Sequence, residues 1–106
     1  MANEDLSEET KEKISKSQDE LVKIISSMTS EKELHDFFEC LLTPAERFDL
    51  GKRWLLVKNI NEGRTQRDIA KEFKMSLCKI TRGSRELKKE GSAFRKVLDN
   101  YKQIID

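Results

Sequence analysis

The chain is poor in residues that interrupt helices, with one proline and four glycines among 106 residues. Runs of β-branched residues alternating with polar ones are also missing, which argues against sheet and for an all-α protein. The two cysteines, Cys40 and Cys78, have no CxxC spacing and no histidines clustered near them. Neither a disulfide scaffold nor a zinc site is expected, and a reducing interior suits the thiols. The single histidine, His35, reads as a surface residue beside an apolar stripe. No apolar run approaches the ~18 residues of a membrane span, and no signal-peptide pattern opens the chain. We therefore expect a cytoplasmic protein with no membrane partner. A His-paired nucleophile, a metal-ligand cluster and a phosphate loop are all lacking, so no catalytic residues, metal or cofactor are expected.

What the chain has in abundance is charge: 39% of its residues are Asp, Glu, Lys or Arg. The net of +1 hides an asymmetry. Residues 1–63 carry 9 cations against 14 anions, and residues 64–106 carry 12 against 6. Between 77 and 89 stand Lys79, Arg82, Arg85, Lys88 and Lys89, opposed only by Glu86. A basic half on a near-neutral chain fits a surface that meets phosphates.

Along the chain, residues 1–12 are polar and acidic and read as a flexible arm, followed by one helical domain over 13–106. A first amphipathic helix runs from Ile14 to near Ser30, and a second carries Leu34, Phe37, Phe38, Leu41 and Leu42. Thr43-Pro44-Ala45-Glu46 has the form of a capping box with proline at the first helical position. It announces a long third helix through Phe48, Trp54, Val57 and Ile60 to Gly63. Apolar over much of its circumference, this helix needs partners on several faces.

Residues 66–89 read as a helix-turn-helix: Gln66–Phe73, a turn at Lys74-Met75-Ser76, and Leu77 to about Lys89. Ala70, Lys74 and Ile80 stand where such units are constrained. A small residue allows close crossing and an aliphatic one fills the wedge, whereas the turn position favours glycine because it tends towards positive φ, and Lys74 departs from that. A last amphipathic helix follows Gly91-Ser92. The total is about six helices. In such a unit the start of the second helix meets base edges and its flanks hold phosphates. Leu77, Cys78, Lys79 and Thr81 are expected in the major groove, where the methyls of Leu77 and Thr81 can read thymine and Lys79 can reach guanine or phosphate. Gln66 and Arg67 are placed for phosphates or a flanking guanine, and Ser84, Arg85 and Lys88 continue the DNA-facing edge. Cys78 reads as a small groove-facing residue rather than a redox centre.

Ile80-Thr81-Arg82-Gly83-Ser84, preceded by Leu42-Thr43-Pro44-Ala45-Glu46-Arg47 and Leu50-Gly51-Lys52-Arg53, resembles the bacterial trp repressor family over roughly residues 34–100. The resemblance implies an intertwined, all-helical homodimer that binds operator DNA when L-tryptophan is bound as corepressor, controlling genes of tryptophan biosynthesis or uptake. It further implies that Arg53 and Arg82 sandwich the indole and that Arg82 and Thr43 hold the carboxylate, Thr43 from the partner subunit. Gly83 then lies against the indole edge, Val57 joins the ligand set, and Glu86 stands where the family has a serine near the ammonium. Trp54 replaces a small β-branched residue.

The residues also fit two rival functions. One is a regulator of the same fold that is ligand-independent or answers a different metabolite, supported by Trp54 and Glu86. The other is a helical interaction module whose basic face meets an acidic protein. Taken without the resemblance, Arg53 and Arg82 read as ordinary surface cations, one snorkelling and one on phosphate.

Overall fold

A computed structural model describes residues 5–105, which form two compact units meeting in sequence between Thr43 and Pro44. The first unit holds α1 (Glu8–Ser27) and α2 (Glu31–Leu41). Ser7 caps α1 by accepting a hydrogen bond from the Thr10 amide at 3.1 Å, and Glu8 and Glu9 complement the helix dipole in the first turn. Helix therefore starts well before Ile14, inside the span read as an arm; residues 1–4 of that arm lie outside the described residues. Ser30 caps α2 in the same way through the Glu33 amide. Neither helix contains a buried residue, and Val22 in α1 is 65% exposed.

The second unit holds α3 (Pro44–Asn61), α4 (Gln66–Phe73), α5 (Leu77–Lys88), α6 (Ala93–Asn100) and α7 (Lys102–Ile105). Pro44 opens α3 as its first residue, where its fixed φ suits the helix and its missing N–H costs nothing. Gly63 stops the chain beyond α3 at φ +88°, a left-handed conformation that glycine adopts without strain. An α3–α4 clamp spans this corner. The Asn59 side chain donates to the Leu55 carbonyl at 2.8 Å and accepts from Arg64 at 2.9 Å, while Arg64 also donates to Glu72 at 2.6 Å.

Thr65 and Ser76 cap α4 and α5, each through the amide three residues on. Between them Lys74 takes the left-handed conformation (φ 52°, ψ 44°) that closes the helix-turn-helix. Ile69 and Ile80, both fully buried, meet Leu56 of α3 in one core cluster, with Ala70, Phe73 and Met75 packed around it. A second cluster joins Val57, Leu87 and Leu98, with Trp54 and Phe94 against it.

The described residues contain seven helices rather than about six, all α-helical and without strands. The extra one arises because the last amphipathic stretch breaks at Tyr101, whose backbone (φ −122°, ψ 31°) leaves the helical region. Hydrogen bonding resumes at once, the Ile104 and Ile105 amides both donating to the Tyr101 carbonyl.

Candidate functional site

The second helix of the motif, α5, is divided sharply between two faces. Ile80, Gly83, Ser84 and Leu87 are buried at i, i+3, i+4 and i+7 spacing. Cys78, Arg82 and Arg85 are exposed on the opposite side, and Leu77, Lys79 and Lys88 are exposed at its margins. Both ends of the DNA-facing set expected from sequence thus lie on the open face, together with Arg67 at the start of α4. Thr81 and Gln66 are half-buried and bonded to each other, the Thr81 hydroxyl donating to Gln66 Oε1 at 3.3 Å. Ser84, also expected along the DNA-facing edge, is 5% exposed and sits on the inner face of α5. The helical spacing from Ile80 to Leu87 is the signal that marks it as inward.

Beneath this face lies a cavity of about 500 Å³. Its α3 wall is Asp49, Lys52, Arg53, Leu56 and Val57. The turn residues Lys74, Met75 and Ser76 border it, with Lys79, Arg82 and Gly83 from α5 and Phe94 from α6. Four residues expected at a ligand site, Arg53, Val57, Arg82 and Gly83, are brought together here from two helices. Such a volume, partly apolar and carrying a few charged groups, is of the size that holds small molecules. Lys79, expected only in the groove, also lines the cavity.

Glu86, also expected near the ligand, is not among the residues that line the cavity. Its carboxylate is paired with Lys89 one turn on. The hydrogen bond and charge of Lys89 hold the Glu86 carboxyl below the usual carboxylate range, and Arg82 adds a smaller pull in the same direction. Trp54, the other departure from the family pattern, is half-buried against the second core cluster and is absent from the cavity lining. Thr43 belongs to the first unit. Sequence reasoning passed over Asp49, Lys52, Met75 and Phe94. Met75 reads as a turn residue and Phe94 as part of the apolar stripe of the last helix, whereas nothing local points Asp49 or Lys52 towards a ligand.

Among the described residues no group of three or more His, Cys, Asp or Glu side chains could hold a metal ion, and no helix is long and apolar enough to cross a membrane. Both cysteines are free and exposed. An all-helical fold built round a helix-turn-helix, with cations along the open face of its second helix, defines the class of DNA-binding regulators.

The comparison with known proteins is specific. A family model described as Trp repressor protein matches residues 16–102, and the chain belongs to that family, whose members are DNA-binding regulators and not enzymes. The chain is 38% identical over 76 residues to a Trp operon repressor homolog of Chlamydia trachomatis serovar L2, covering 71% of this chain and 81% of the relative. The homolog of Chlamydia caviae is 35% identical over 82 residues, covering 76% of this chain and 81% of the relative. That of Xylella fastidiosa strain M23 is 34% identical over 68 residues, covering 63% and 74%. No solved structure matches. The chain is thus a tryptophan-related repressor.

Proposed function

We propose that the protein is a homodimeric cytoplasmic repressor that binds operator DNA when L-tryptophan occupies the cavity between α3 and α5, and so controls genes of tryptophan biosynthesis or uptake. The observation that carries this reading is the convergence of Arg53 and Arg82, from two different helices, on one cavity that the helix-turn-helix turn also borders. A planar guanidinium on an alkyl stem suits the face of an indole, and either arginine can grip a carboxylate. Leu56, Val57 and Phe94 supply apolar contact for the ring. An occupant of this space touches α3 and α5 at once, so it favours the arrangement of the two helices in which both contacts are made.

In that arrangement Leu77, Cys78, Lys79 and Thr81 enter the major groove, and Gln66, Arg67, Arg85 and Lys88 meet phosphates or a flanking base. Ser84 leaves this set because it is buried. The dimer draws support from the first unit, whose amphipathic helices contain no buried residue. Such apolar faces require a partner, which a second copy supplies.

Calorimetric titration of the purified protein with L-tryptophan tests the sensor, and operator selection with and without tryptophan tests the repressor. Saturable binding at one ligand per chain, with tryptophan-dependent retention of one palindromic site, is expected. Operator binding with no tryptophan effect would transfer the reading to a ligand-independent regulator.

A further inference from the structure

The cavity is nearly one-signed. Lys52, Arg53, Lys74, Lys79 and Arg82 line it, and Asp49 is the single carboxylate among the lining residues. An amino acid brings two opposite charges on neighbouring atoms. The cations welcome its carboxylate, but the same field repels its ammonium unless an anion stands close by. Glu86 is paired with Lys89 and lies outside the lining. Asp49 is exposed on α3 one turn before Arg53, which places the two on one face of the helix. Among the described residues Asp49 forms no ion pair, although Lys52 and Arg53 both follow it within a turn. Its carboxylate is therefore available to an incoming cation.

We propose that Asp49 recognises the ligand ammonium and thereby selects a zwitterionic amino acid over the corresponding indole acid. The assignment rests on reading the cavity as a tryptophan site. Without Asp49, a lining of cations alone favours an anion that lacks the ammonium. With it, a charge-assisted hydrogen bond holds the ammonium while the arginines hold the carboxylate.

The test is calorimetry on the full chain, unaltered and as Asp49→Asn, with L-tryptophan and with indole-3-propionate, which keeps ring and carboxylate but has no ammonium. Asp49→Asn preserves shape and removes the charge. It is expected to weaken tryptophan about tenfold or more, while indole-3-propionate binds as well as before or more tightly. Retained indole-3-propionate binding also shows that the variant folds. Asp49→Glu is expected to recover part of the tryptophan affinity. Equal loss of both ligands, or no change in either, overturns the assignment of Asp49. Failure of the unaltered protein to bind tryptophan shows itself before any substitution, and overturns the tryptophan reading and this assignment together.

Discussion

Gly83 of α5 approaches Leu56 of α3 so closely that a Cβ built on it would lie 3.2 Å from Leu56 Cδ2, with Ile60 Cδ1 at 3.8 Å. The two helices touch backbone to side chain at this point, and the same glycine borders the cavity. Gly83→Ala gains about 0.5–1 kcal/mol of helix propensity, which offsets the few tenths of an ångström that Leu56 must give. Urea unfolding is expected to register a change below about 1 kcal/mol. Tryptophan affinity, read by calorimetry, is expected to fall several-fold because the methyl enters the space between α3 and α5. An unchanged affinity would remove Gly83 from the site.

Lys74 holds a left-handed conformation that side chains other than glycine and asparagine adopt at a cost of roughly 1–2 kcal/mol. Lys74→Gly relieves that strain and gives back part of it through a freer unfolded chain. The urea midpoint is expected to rise, by about 0.5–1 kcal/mol in stability. A lower midpoint would mean that the lysine side chain holds the turn by contacts stronger than the strain.

Ile80 is fully buried where α4, α5 and α3 meet. Truncation to alanine leaves a cavity and is expected to cost about 2–5 kcal/mol in chemical unfolding. Specific DNA binding is expected to weaken with it, since the crossing of the two motif helices loses its wedge.

Arg85 is exposed on α5 and does not line the cavity, so it separates DNA contact from ligand contact. Arg85→Ala is expected to weaken operator binding, to lower the salt dependence of binding by about one unit of slope, and to leave tryptophan affinity unchanged. Arg82→Ala, by contrast, is expected to reduce both tryptophan binding and tryptophan-dependent operator binding. A pattern in which Arg82→Ala spares the ligand would return Arg82 to an ordinary surface cation.

Ser84 provides the matching negative expectation. Because its side chain is buried, Ser84→Ala is expected to leave operator affinity within about twofold. A large loss specific to DNA would show that α5 turns on its axis when it binds.

The elements that sequence determined by itself are those whose causes lie within a turn of helix. Thr65 and Ser76 cap α4 and α5, Pro44 opens α3 and Gly63 lies beyond its end, because each of these effects depends on backbone groups a few residues away. The helix-turn-helix and its basic open face were legible for the same reason, and the motif around Ile80–Ser84 carried the family. Ser7 sends an equally local signal for α1, hidden among the polar residues that read as an arm. What only the tertiary structure decided is which charges share a space. Asp49 and Arg82 are 33 positions apart in the chain, and the packing of α5 on α3 makes them neighbours round one cavity. Glu86 is drawn instead to Lys89, and Trp54 against the core, because a helix commits each side chain to one direction and only the packing of its neighbours says what that direction meets.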